Sequence, residues 1–215
     1  MPAKEFTHVR AWVFDLDNTL YPPAARLFDQ IERRMTAYVM RLLGVTEGEA
    51  DRLRNHYWHA HGTTLAGLVR EHGADPEPYL ADVHDISLAA LAPDPDLCAA
   101  IAALPGRRIV YTNGSAPYAR RVIAARGLDG IFDAVYGVEH AGYRPKPERA
   151  AFDAIFAADG LDPAKGAMFE DDARNLAAPH DMGMCTVLVA ERAEPAPHIH
   201  HHAPDLAGFL RRLRP

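Results

Sequence analysis

Short apolar runs alternate with helix-spaced patterns along most of this chain. Trp12-Val13-Phe14 leads into Asp15-Leu16-Asp17, an apolar segment that ends in acid. Arg108-Ile109-Val110-Tyr111, Ala134-Val135-Tyr136-Gly137, Ala167-Met168-Phe169 and Cys185-Thr186-Val187-Leu188-Val189 are of the same kind. Continuous apolarity suits strands buried on both faces, as in a parallel sheet. Between them, a helical pattern over 116–126 stops at Gly127, a residue suited to a left-handed cap. Another over 147–158 opens on proline and stops before Gly160. Strand and helix in alternation predict an α/β fold, a doubly wound parallel sheet.

One stretch breaks the rhythm. Between about residues 24 and 91 only helical spacing is found. Leu27, Ile31, Met35, Tyr38 and Leu42 recur at helical intervals until Gly44, and further helices are expected over 47–60, 64–71 and 76–89. An all-helical insertion between the first two strands predicts a small cap, residues 22–94, on a core made of 1–21 and 95–215. Pro22-Pro23 and Pro93-Asp94-Pro95 stand where its hinges would be.

The 215 residues are 48% apolar and 24% charged, the balance of a folded soluble chain. A net charge of −6 argues against a nucleic-acid polymer as partner. No apolar run approaches the roughly 20 residues that cross a bilayer. Met1-Pro2-Ala3-Lys4-Glu5 lacks the apolar core of a signal peptide, so a cytoplasmic protein without membrane contact is expected. Cys98 and Cys185 are expected to be reduced and buried. His198 and His200-His201-His202 carry imidazoles that suit zinc or nickel, but in a proline-rich stretch the expected reading is a solvated loop.

Four motifs carry chemistry, each at the carboxyl end of an expected strand, where open α/β sheets bind ligands. Asp15 and Asp17, two apart on an extended chain, point the same way and can share a hard cation. One can be a nucleophile and the other a proton donor; the plainer alternative is a turn at Asp17-Asn18. Thr112-Asn113-Gly114-Ser115 can cradle a phosphate at a helix start, or Ser115 can simply cap that helix. Lys146, between Pro145 and Pro147, can neutralise a nucleophile and a phosphate, or stand in solvent. Glu170-Asp171-Asp172 repel one another unless compensated, with Asp171 suited to a metal and Asp172 to a helix cap. Together they form a set for phosphoryl transfer, which rests on positioning and charge neutralisation.

Phe14-Asp15-Leu16-Asp17-Asn18-Thr19-Leu20-Tyr21, Thr112-Asn113-Gly114, Lys146-Pro147 and Phe169-Glu170-Asp171-Asp172 resemble the four motifs of the haloacid dehalogenase superfamily. The likeness runs from about Val9 to about Ala190. It implies a Rossmann-like core in which Asp15 forms an aspartyl-phosphate and Asp17 is general acid and base. Thr112 would bind phosphate with Asn113 and Gly114, and Lys146 would steady nucleophile and phosphate. Asp171 with Glu170, the Asp15 side chain and the Asp17 main-chain carbonyl would hold Mg2+. A second acid at Asp17 favours phosphate over halide. The Asn18-Thr19-Leu20-Tyr21 ending and the segment from Tyr57 to Leu68 look like the pyrimidine 5′-nucleotidase subfamily, which implies a nucleoside monophosphate substrate.

In the cap, Arg52, Arg54, His56, Tyr57, Trp58, His59 and His61 can face a base or lie in a solvated helix with a buried side. Thr63 and Thr64, after Gly62, are expected in a loop over the active site and are candidate substrate contacts. The rival readings are a phosphatase of a sugar phosphate or phosphoglycolate, a phosphomutase, and a non-catalytic interaction module.

Overall fold

Six parallel strands carry the rest of the molecule, in a computed structural model that describes residues 4–192 and 195–213. The strands are β1 (Ala11–Phe14), β2 (Arg107–Tyr111), β3 (Ala134–Tyr136), β4 (Gly166–Glu170), β5 (Cys185–Leu188) and β6 (His201–His202). Their order is β3-β2-β1-β4-β5-β6. The chain therefore builds outward from β1 on one side, then returns to build outward on the other. That reversal, between β1 and β4, is the point where such sheets open a ligand crevice.

Alternate side chains leave the sheet on opposite faces. Trp12, Phe14, Val110, Phe169 and Val187 join one apolar cluster, with Leu97, Tyr118, Val122 and Phe209 from helices α5 (Pro95–Ala102), α6 (Ala116–Ala125) and α9 (Leu206–Arg211). Val13, Ile109, Tyr111, Met168 and Leu188 join the other, with Phe152 and Ile155 of α7 (Arg149–Asp159) and Ala178 of α8 (Ala177–Asp181). The doubly wound α/β sheet expected from the sequence is thus observed. Phe14 stacks on Phe169 at 4.8 Å between centroids, locking β1 to β4 just before their acidic ends.

Between β1 and α5 lie α1 (Leu27–Leu43), α2 (Glu47–His61), α3 (Thr64–His72) and α4 (Pro76–Val83). Gly44, Gly62 and Gly73 end the first three at positive φ, as a residue without Cβ allows. The helices pack α1 on α2, α2 on α3 and α1 on α4. Their buried residues, among them Ile31, Tyr57 and Leu68, belong to the same continuous cluster as one face of the sheet. Leu42, assigned to the apolar stripe of α1, is instead exposed.

Two helix boundaries and one loop differ most from the sequence reading. The helix expected over 76–89 ends at Val83. Arg121 donates to the carbonyls of His84 and Ile86, so α6 holds these groups and the helix does not continue. The helix expected from Pro147 starts at Arg149. The N–H and C=O of Lys146 are both taken by the Asn113 side-chain amide, and Pro145–Glu148 makes a turn (Glu148 N to Pro145 O, 3.0 Å). The histidine patch is not wholly a solvated loop, because His201 and His202 form β6 beside Val187 and Leu188. Thr186 anchors that return by donating to the His198 carbonyl and meeting His200 Nδ1 at 2.9 Å.

Cys98 is half-buried, Cys185 is buried, and both are free thiols. Among the described residues no helix is long and apolar enough to cross a membrane. Met1, Pro2, Ala3 and Glu194 lie outside the described residues.

Candidate active site

Register brings the motifs together. Phe14 stands opposite Val110 on β2 and Phe169 on β4, so the next residues along each strand end at one edge. Asp15 continues β1, with its N–H donating to the Phe169 carbonyl at 2.9 Å, and Thr112 continues β2, donating to Tyr136 O at 3.0 Å. Asp15, Asp17, Thr112, Asn113, Gly114, Lys146, Glu170 and Asp171 all line one cavity of about 470 Å³. Thr63 and Thr64, with residues of α1, α2 and α4, line it from the insertion.

Lys146 is the centre of the charge arrangement. Its side chain is 1% exposed, and Nζ lies 2.6 Å from Asp15 Oδ1, 2.6 Å from Glu170 Oε2 and 3.1 Å from Tyr111 O. All three ammonium protons therefore have acceptors. Burial works against the charge, but Asp15 and Glu170 outweigh it and hold the lysine above its ordinary pKa. The surface-lysine alternative is excluded by this burial.

One cation does not balance the acids around it. Oxygens of Asp15, Glu170 and Asp171 lie within 4.8 Å of one another. Burial, then the charges of Glu170 and Asp17, push Asp15 up to about 8 despite Lys146. Burial, then Asp15 and Glu170, push Asp171 up to about 9. Asn18 Nδ2 donates to Asp171 Oδ2 at 3.2 Å and orients it. Three clustered carboxylates with one shared ammonium form an oxygen-rich set that fits a hard divalent cation. Glu170 is the most engaged of the three, with Oε1 also accepting from Asp172 N–H at 3.3 Å.

Asp17 stands apart from the lysine. Tyr21 and Tyr118 both donate to its Oδ1, at 2.6 and 2.8 Å. Burial raises its pKa, and the two hydroxyls work against that rise. Thr112 Oγ1 accepts from Gly114 N–H at 2.9 Å, which leaves the hydroxyl proton free to donate. Gly114 thus has no spare N–H, whereas the Asn113 N–H has no partner among the described residues. Ser115 is the cap of α6, accepting from Tyr118 N–H at 3.4 Å, and Asp172 caps the turn after β4 by accepting from Arg174 N–H at 2.9 Å.

Of the insertion candidates, Arg54 and Trp58 line the cavity. Tyr57 is fully buried and bonds His72 Nε2 at 2.7 Å. Arg52 pairs with Glu49, while His56 and His61 gather on Glu71, all away from the cavity. Thr63 caps α3 by accepting from Ala66 N–H at 3.1 Å, and Thr64 is buried. The sequence reading had no role for Tyr21, Tyr118, His84 or Arg174. Tyr21, four residues after Asp17, and Arg174, two after Asp172, stood close enough in the chain to signal one.

The haloacid dehalogenase-like hydrolase family model matches residues 9–183. The chain belongs to this family. Among relatives of this hydrolase, Phosphate metabolism protein 8 of Saccharomyces cerevisiae is 26% identical over 198 residues, which are 83% of this chain and 61% of that protein. The chain thus spans less than two thirds of that relative's length. Solved structures share the haloacid dehalogenase-like fold at lower identity. A HAD phosphatase from Thermococcus onnurineus aligns with a TM-score of 0.62 at 16% identity, covering 95% of this chain and 98% of that one. The HAD-hydrolase YfnB from Bacillus subtilis, bound to magnesium, aligns at 0.61 and 16%, covering 96% and 99%. The L-2-haloacid dehalogenase from Xanthobacter autotrophicus, with chloropropionic acid covalently bound, aligns at 0.56 and 19%, covering 96% and 98%.

Proposed function

We propose that this hydrolase is a Mg2+-dependent phosphomonoesterase that acts through an aspartyl-phosphate on Asp15, with a nucleoside 5′-monophosphate as substrate. The observation that carries the reading is the second acid. Asp17 lines the same cavity as Asp15 but is held off the Lys146 cluster by two tyrosine hydroxyls. A carboxyl so placed can protonate an alcohol leaving group, which a halide does not need. A relative whose name places it in phosphate metabolism supports the same substrate class.

In the first step the Asp15 carboxylate attacks phosphorus and the bond from phosphorus to the leaving oxygen breaks. That oxygen keeps the electron pair and takes the proton of Asp17. Water then attacks phosphorus and passes a proton back to Asp17 as the Asp15–phosphorus bond breaks. Lys146 holds Asp15 in place, while the Thr112 hydroxyl and Asn113 N–H donate to phosphoryl oxygens. Asp15, Asp171, Glu170 and the Asp17 main-chain carbonyl are the residues that would hold Mg2+, and the ion would supply positive charge that offsets the clustered acids and screens the phosphoryl group.

Residues 22–94 then act as a cap on a core of 1–21 and 95–215, a division supported by the cavity between the strand ends and α1, α2 and α4. Phosphate release from UMP, CMP, AMP, ribose 5-phosphate and phosphoglycolate with Mg2+ tests the reading. Preference for UMP or CMP is expected. Preference for the sugar phosphate or phosphoglycolate removes the nucleotide assignment alone. Turnover of none overturns the phosphatase, and chloride release from 2-chloropropionate would replace it with a dehalogenase.

A further inference from the structure

Both tyrosines that meet Asp17 reach the same oxygen. Tyr21 Oη lies 2.6 Å and Tyr118 Oη 2.8 Å from Oδ1. Oδ2 takes no hydrogen bond from any described residue, on a side chain that lines the cavity. A carboxylate oxygen has two in-plane lone pairs, and two donors fill both. A proton on this carboxyl is therefore confined to Oδ2.

Neither ring is free to leave. Tyr21 and Tyr118 are each 1% exposed within the apolar cluster that backs the sheet. The Tyr118 ring lies parallel to His84, 4.4 Å between centroids and 4° between planes, and His84 Nδ1 meets Ser115 Oγ at 3.1 Å. Tyr118 is thus stacked against the residue that ends α4. Tyr21 follows Asp17 by four residues on the chain leaving β1. The two hydroxyls approach from independent elements, so together they fix the plane of the carboxyl and not merely its position.

We propose that Tyr21 and Tyr118 are positioning residues that fix Oδ2 of Asp17 as the single atom that gives and receives the proton. This rests on the phosphatase reading. In the first step the proton leaves Oδ2 for the oxygen that departs from phosphorus. In the second, water gives its proton to Oδ2 as it attacks. Without the clamp the carboxyl can rotate and carry its proton on either oxygen, and general acid catalysis is lost in part.

Leaving groups separate this role from packing. The nitrophenolate of 4-nitrophenyl phosphate departs without a proton, whereas the alkoxide of β-glycerol phosphate needs one. The constant kcat/KM covers steps only through alcohol release, so the second step does not enter. Tyr21→Phe, Tyr118→Phe and the double variant remove only hydroxyls. The double variant should lose about 10- to 100-fold in kcat/KM on β-glycerol phosphate and less than about 3-fold on 4-nitrophenyl phosphate. Each single variant should lie between it and the unmodified protein, at unchanged Tm. Equal losses on both esters, or none on either, overturn the clamp. If the double variant fails to fold, the two single variants decide by the same ratio. Absence of turnover of both esters by the unmodified protein overturns the phosphatase reading itself, a different result from equal losses.

Discussion

Arg174 lies on Trp58, its guanidinium carbon 3.6 Å from the ring centroid. Arg174 follows the acids at the end of β4 and is held by Asp172, whose carboxylate it meets through Nε and Nη2. Trp58 belongs to α2 and is 42% exposed at the cavity. The contact therefore ties the metal-competent loop to the helical insertion. Cation–π pairs of this kind are worth about 0.5–2 kcal/mol. The Arg70–Glu148 ion pair and the Tyr143–Glu77 hydrogen bond (3.1 Å) join the insertion to the segment 143–148 on another side.

If the insertion selects the substrate, Trp58→Ala and Thr64→Ala should act on the leaving group and spare the phosphoryl site. The expected loss in kcat/KM for UMP is roughly 1–3 kcal/mol, the range for a base stacked on an aromatic ring. The loss for 4-nitrophenyl phosphate should be several-fold smaller. Arg174 already covers one face of Trp58, so the base must use the other face or displace it. Equal losses on both esters would assign Trp58 and Thr64 to packing.

Asp15→Asn preserves volume and removes the attacking charge. Turnover of any phosphate ester should fall roughly 10³-fold or more. Thermal unfolding should remain cooperative, and no phosphorylated protein should appear by intact mass. A labelled phosphoenzyme in this variant would place the covalent step on another residue.

The acidic cluster makes stability depend on pH, and the sign follows from proton counts. Asp15 and Asp171 move from 3.8 to about 8 and about 9 in the folded chain. Between these limits the metal-free native state binds more protons than the unfolded state, so stability falls as pH rises. It is fully present below the unfolded pKa and lost progressively up to the folded values. A divalent cation bound at the cluster would replace those protons, so added Mg2+ should raise Tm more at about pH 8.5 than at about pH 5.5. Calorimetry of the metal-free and Mg2+-saturated protein measures this. Asp171→Asn should shrink the Mg2+ effect, and an effect independent of pH would remove the cluster as the site.

Gly67 is a structural constraint on the insertion. A Cβ there would stand 2.2 Å from Cγ of Tyr57, a buried side chain with no room to shift. Gly67→Ala should destabilise the protein by roughly 1–3 kcal/mol through overpacking. Thermal or urea unfolding measures the loss. An unchanged midpoint would mean that α2 and α3 separate more readily than their packing implies.

Strands β1 to β5 were legible because each holds an apolar run bounded by acid, hydroxyl or glycine. The glycine-ended helices were legible at Gly44, Gly127 and Gly160, because the positive φ that the chain takes there favours that residue. The motif residues were legible as a set, because parallel register delivers whatever follows Phe14, Val110 and Phe169 to one edge. The chain's local pattern could not show where α4 ends, since Arg121 of α6 takes the carbonyls that would continue it. Nor could it mark β6, two histidines long and paired only through Val187 and Leu188. Tyr57 and Trp58 are adjacent aromatics on one helix, yet packing against Gly67 buries the first and turns the second to the cavity. Tyr118 reaches Asp17 across 101 positions. Local sequence sets which residues end a strand or stop a helix. Which oxygen of Asp17 meets two tyrosines depends on elements distant in the chain packing against one another, and only the tertiary structure decides it.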